Sequence, residues 1–179
     1  ATVFLSTDFV GTDRIFWQET LVQNLTLLLK NGLIKEFSHT HSCPADVGEK
    51  LLMIASNENI SDRVKSGFDE VIEMLMAIHD IQVTAFMNHA QQFLDQRGIK
   101  PDARRRILDW SEIEEMHGNG ISFGSHSKTH RIMTRLDMED AKAEITESKA
   151  IIESHLGAPV KAFAYPNGDW NKTLWSLVI

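Results

Sequence analysis

Two histidines four residues apart, His126 and His130, are the residues here whose types and spacing best suit chemistry. They follow Gly120-Ile-Ser-Phe-Gly124, which reads as a short buried strand with Ile121 and Phe123 alternating with Ser122. If the backbone turns helical after Gly124, positions i and i+4 share a face. If it stays a loop, the small residues Ser125, Ser127 and Thr129 leave room for both rings to converge. Either way two neutral imidazoles can meet one divalent ion, and zinc takes such nitrogens at about 2.0–2.1 Å. A catalytic zinc takes three protein ligands plus water, so a third ligand must come from elsewhere. The spacing alone is a weak signal, and a polar loop with two incidental histidines is the plain alternative.

The elements around the pair suggest how it is held. Upstream, residues 110–116 read as a helix start, with Ser111 as N-cap and Glu114 as its capping-box partner. Downstream, Arg131 to Leu136 leads away and Asp137 caps a helix from Met138 to Leu156, with Ala141, Ile145, Ile152 and Leu156 on one face. Gly157 stops that helix and Pro159 seals the stop. A second strand follows over Val160–Tyr165 and breaks at Pro166-Asn167-Gly168. Helix, turn and strand in succession are the rhythm of a parallel α/β barrel, whose active site lies where strands end in polar loops. Thr173 to Ile179 reads as a further helix or strand. Ala1 to Thr7 reads as a strand apolar on both faces, which suits burial in a parallel sheet, and Asp8 as its polar end rather than a ligand.

Residues 13–109 have a different pattern. Helical stripes run over Phe16–Leu29, ended by Asn31-Gly32; over Ala45–Ser56, with Pro44 at its start; over Val64–Ile81; and over Phe86–Gln96, closed by Arg97-Gly98. Leu33 to Ala45 reads as loop. His39, His41 and Cys43 within it could form a second metal site, but no matching ligand set lies nearby, and a polar loop is the preferred reading. His79 and His89 fall in helical segments, and His117 and His155 in last turns, where positive charge suits the helix dipole. Lys100 to Arg106 reads as a solvated basic patch.

Length and composition bound the rest. The chain has 179 residues, of which 42% are hydrophobic, enough for one domain with a sizeable core and an insertion. The net charge of −7 and the absence of a long basic run argue against a nucleic-acid partner. No stretch approaches the ~20 apolar residues of a membrane span. A single cysteine forms no internal disulfide and leaves the compartment undecided.

At this point the chain resembles a known family. Gly124-Ser-His126-Ser-Lys-Thr-His130 looks like the H-[ST]-x-x-H metal motif of the polysaccharide deacetylases (carbohydrate esterase family 4, the NodB-like homology domain). Phe163-Ala-Tyr-Pro166-Asn167-Gly168 looks like the same family's R-x-[FY]-P-[YNG]-G motif, and Ala1 to Thr7 resembles the strand just after its first catalytic motif. The resemblance implies part of a distorted (β/α) barrel formed by residues 1–12 and 110–179, incomplete here, with 13–109 as a mostly helical insertion. It implies a metal-dependent hydrolase, acting on carbon–nitrogen bonds other than peptide bonds, that removes N-acetyl (or O-acetyl) groups from a polysaccharide or oligosaccharide. The expected cofactor is a divalent metal, Zn2+ foremost, held by His126 and His130. Asn167 would offer its backbone N–H to the oxyanion, and Tyr165 and Trp170 would shape the sugar groove. The compartment stays open between bacterial cell envelope and cytoplasm.

The departures are specific. The family's acidic motif, which supplies the base and the aspartate completing the metal triad, belongs ahead of the strand at Ala1, and its later motifs belong beyond Ile179. The chain is therefore expected to be a fragment of a longer enzyme. The alternatives are a catalytically inactive deacetylase-like domain binding glycan or a protein partner, and an unrelated α/β hydrolase or interaction domain in which the two histidines are incidental.

Overall fold

The computed structural model describes residues 1–56, 60–101 and 107–178, with the backbone alone for residues 60–66 and 80. It divides into two compact units. One comprises residues 1–15 with 104–179, and the other residues 16–103.

The second unit is helical throughout its described residues. Helix α1 (Trp17–Lys30) buries Leu21, Leu25 and Leu28, the i, i+4, i+7 stripe expected of it. Gly32, at φ 68°, supplies the left-handed turn that ends the helix. The segment read as a loop instead contains a short helix, α2 (Ile34–Ser38), because Ile34 and Phe37 are three apart and both reach the core. Phe37 packs edge-on against Phe86, with ring centroids 5.5 Å apart. Pro44 stands one residue before α3 (Ala45–Ala55), as its N-cap. The long stripe expected over 64–81 is two elements. Helix α4 (Ile60–Met76) stops first, and α5 (Asp80–Asp95) starts after His79 turns to extended backbone. Ile81 therefore lies on α5 and is 82% exposed. Of the basic patch, residues 102–106 lie outside the described residues, as does the side chain of Val64.

The first unit holds the sheet. Strand β1 (Thr2–Leu5) pairs in parallel with β2 (Ser122–Ser125), Thr2 opposite Ser122 and Leu5 opposite Ser125. Both strands are shorter than expected, and the strand expected over Val160–Tyr165 is reduced to a single parallel bridge between Phe163 and Ser125. That bridge has two hydrogen bonds, Ser125 N to Ala162 O and Ala164 N to Ser125 O, each 2.9 Å. The described residues thus form an α/β unit with a two-stranded sheet rather than a closed barrel. Its core is Leu5, Val10, Ile113, Phe123, Ile152 and Val160. β1 is not buried on both faces, because Phe4 remains 40% exposed.

Among the described residues, three helices complete this unit. Helix α6 (Trp110–Gly118) is capped two residues earlier than expected. The Asp109 carboxylate accepts from Glu112 N at 3.0 Å, and the Glu112 carboxylate accepts from Asp109 N at 2.8 Å. Ser111 instead donates to Asp109. Helix α7 (Met138–Leu156) has the expected bounds: Asp137 accepts from Asp140 N at 2.8 Å, and Gly157 closes it at φ 60°. Helix α8 (Lys172–Val178) packs on α7 and follows a cap by Asn171, which accepts from Leu174 N at 2.9 Å.

Candidate functional site

The histidine pair sits on a loop where β2 ends. Parallel pairing continues past both strands into this loop, with His126 N donating to Leu5 O at 2.9 Å and Asp8 N to Lys128 O at 3.0 Å. The Ser6 hydroxyl adds a bond to His126 O at 2.8 Å. The end of β1 therefore fixes the backbone that carries the rings. Asp8 lies in a 3-10 turn (Thr7–Phe9) just past the end of β1.

Of the two geometries the spacing allowed, the structure takes the loop. Ser127 at φ 65° and His130 at φ 59° are both left-handed, which costs non-glycine residues on the order of 1 kcal/mol or more each. Among the described residues, Asn167 at φ 58° is the third such position. All three fall in the two motifs that suggested chemistry, and backbone strain of this kind collects at functional sites. A local hydrogen bond offsets it: the buried Ser127 Oγ accepts from His130 N at 3.0 Å.

The rings converge. His126 and His130 lie edge to face with centroids 4.9 Å apart. His126 Nδ1 donates to Ala164 O at 2.8 Å. A carbonyl only accepts, so Nδ1 carries a proton and Nε2 is the ring nitrogen left to ligate, the arrangement found where a ligating histidine is oriented by an outer partner. His130 is held neutral. Burial, then the nearby His126, push its pKa from 6.5 down to about 4.

A divalent metal needs neutral imidazoles, and the lowered pKa of His130 meets that requirement. The fit is partial, because the described residues contain no group of three histidine, cysteine, aspartate or glutamate side chains able to hold an ion. His39, His41 and Cys43 form no such group either. His39 Nδ1 donates to Lys35 O at 2.6 Å, and Cys43 is buried with its thiol pushed up to about 11. His117 and His155 do sit in last turns, and His155 stacks flat on Trp110 at 3.8 Å.

The second motif lies next to the first through Ala164. Pro166–Gly168 form a 3-10 turn in which Asn167 is exposed and left-handed, and Gly168 N donates to Tyr165 O at 2.9 Å. Tyr165 is half-buried against Met133, Ala141 and Leu174, edge-on to Phe163 at 5.0 Å. Its hydroxyl is buried without a hydrogen-bond partner among the described residues, and burial raises its pKa. Thr7 Oγ1, at the end of β1, is likewise buried and unpartnered. Trp170 is 56% exposed.

Sequence reasoning missed one charged residue at this site. Glu144 is only 6% exposed and lies on the apolar face of α7, one turn before Ser148. Its carboxylate accepts from Lys128 N and Thr129 N, each at 2.8 Å, and from the Thr129 hydroxyl. Ser148 donates to Glu144 O at 2.7 Å and pairs with Ser125 Oγ at 2.6 Å. The signal was present as two polar residues, Glu144 and Ser148, interrupting the Ala141–Ile145–Ile152 stripe.

Comparison with known proteins agrees with the motifs. The family model for polysaccharide deacetylases matches residues 59–178, about two thirds of the chain, starting inside the helical unit. Among solved structures, a Streptococcus pyogenes deacetylase, PplD in complex with acetate, aligns at 25% identity and a TM-score of 0.39. That alignment covers 48% of this chain and 35% of the streptococcal one, so the chain spans about a third of that protein's length. No curated protein matches. On the extent of the family match, the chain belongs to the polysaccharide deacetylase family.

Proposed function

We propose that this chain is the central part of a metal-dependent hydrolase that removes N-acetyl (or O-acetyl) groups from a polysaccharide. The observation that carries the reading is the pair of converging imidazoles, ring centroids 4.9 Å apart, with His126 Nε2 left as its ligand atom by the Nδ1 bond to Ala164. In this reading His126 and His130 are two ligands of a Zn2+ ion and an acidic motif ahead of β1 supplies the rest. Such an ion, when bound, supplies Lewis acidity and a nucleophilic water at neutral pH. The chain's own groups do the remainder. Asn167 presents its backbone N–H toward the oxyanion from a turn that Pro166 and Gly168 shape, which lowers the barrier by preorganised hydrogen bonding. Trp170 offers an exposed aromatic face to a sugar ring, and Tyr165 shapes the groove with it. The helical residues 13–109 are an insertion in this scheme.

The test is acetate release from N- and O-acetylated oligosaccharides by the gene product that contains this chain. Zinc-loaded protein should release acetate, with chelation abolishing the release and His126→Ala lowering it at least ~100-fold, as loss of a ligand implies. Release insensitive to both would overturn the proposal. Glycan binding without release would favour the second reading, an inactive glycan-binding domain, which is kept because the described donor set stops at two.

A further inference from the structure

Resting on that reading, we infer that Glu144 is a positioning residue that sets the geometry of His130 through the turn between the two histidines. The end of β1 and the Ser127–His130 bond hold one side of this turn, and the Lys128 and Thr129 N–H groups on its other side need an acceptor of their own. Its residues Ser127, Lys128 and Thr129 carry no apolar side chain to bury, and two of the four positions from 127 to 130 are left-handed. Successive backbone N–H groups in such a turn form a concavity that binds an anion. Here the anion is internal: both Lys128 N and Thr129 N donate to Glu144 Oε2 at 2.8 Å, and the Thr129 hydroxyl donates to Oε1.

The arrangement is built rather than incidental. A buried carboxylate is costly unless its lone pairs are filled, and three donors fill them. Sequence separations of 15 and 16 residues mean that only the docking of α7 brings the carboxylate here. Four residues on, Ser148 grips Ser125, which immediately precedes His126. One helix face thus holds the segment at both ends. Two other charged side chains reach the turn: Glu147 pairs with Lys128 Nζ at 2.8 Å, and Asp8 raises the Lys128 pKa more weakly. Both act on the Lys128 side chain, so neither substitutes for Glu144 at the backbone.

The consequence is testable with Co2+ as probe and with imidazole NMR. Glu144→Gln keeps the shape but places an amide where three donors converge, and Glu144→Ala removes the acceptor. Both should weaken Co2+ binding roughly 10- to 100-fold, the usual effect of losing an orienting partner. Both should move the Lys128 and Thr129 amide resonances upfield and shift the His130 ring cross-peaks while those of His126 stay in place. Glu144→Asp should recover part of the loss. Ile152→Ala, about 12 Å further along α7, is the control: it lowers thermal stability but leaves His130 and Co2+ affinity unchanged.

Unmoved His130 ring and turn amide signals in folded Glu144→Gln would overturn the inference. So would equal effects from Ile152→Ala. If wild type binds no Co2+ while the His130 signals still respond to Glu144, the metal reading fails and the positioning role stands.

Discussion

Gly124 is where the fold and the site meet, and Gly124→Ala tests that link. A β-carbon there would stand 2.6 and 2.7 Å from Phe4 Cε1 and Cδ1 and 2.9 Å from Ala162 O. The ring can yield, because Phe4 is 40% exposed. The carbonyl cannot yield easily, because it accepts Ser125 N at 2.9 Å. A contact that is roughly half an ångström too short, relieved partly by the ring, should cost about 1–2 kcal/mol, the lower part of the range for overpacking. Urea unfolding measures that cost. Amide exchange locates it: Ser125 and Ala164, whose N–H groups cross the seam, should exchange about tenfold faster per 1.4 kcal/mol of local opening. The same displacement carries Ala164 O away from His126 Nδ1, so the His126 ring signals should broaden or shift. If Gly124→Ala unfolds within about 0.5 kcal/mol of wild type with exchange unchanged, the close packing described for this seam is wrong.

Three further outcomes follow from the geometry. His130 titrates near 4 in the fold and near 6.5 unfolded, so below about pH 6.5 the unfolded chain takes up a proton the folded one refuses. Metal-free stability should therefore be full above pH 6.5 and fall toward pH 4 by on the order of 1–2 kcal/mol, after discounting for the ring's partial exposure. His130→Asn, which tolerates the left-handed backbone, should flatten that slope in thermal scans across pH. Ser127→Ala should cost about 1–2 kcal/mol through the lost acceptor for His130 N, and Ser127→Gly less, because glycine relaxes φ 65°; the reverse order in thermal melts would contradict the strain assigned to this turn. Asp109→Ala should cost about 1 kcal/mol and Ser111→Ala less than about 0.5, which chemical denaturation of the pair would resolve.

Much of the site was legible because its signals are local. The Asp137 cap, the α7 stripe and Gly157 depend on residues within one or two turns, and the structure gives that helix the expected bounds. The histidine spacing and the Pro166-Asn167-Gly168 break are similarly short-range. The misreadings have long-range or competing causes. At α6, Asp109-x-x-Glu112 and Ser111-x-x-Glu114 are both capping patterns two residues apart, and periodicity does not choose between them. The α4–α5 break falls at residues 77–79, where His79 turns to extended backbone, within a stretch whose apolar pattern does not mark it. Glu144 was passed over because a carboxylate in an apolar stripe makes sense only once the turn it serves, 15 residues away in sequence, is docked against it. Strand lengths were overestimated because apolar alternation marks where a strand can form, whereas its extent depends on how far its neighbours pair.

The central claim is that His126 and His130 hold one metal ion together, and X-ray absorption at the zinc edge of the zinc-loaded chain tests it most directly. Wild type should show two imidazole nitrogens at about 2.0–2.1 Å, and His126→Ala and His130→Asn one each. A spectrum without imidazole scattering, or one that both substitutions leave unchanged, would contradict it.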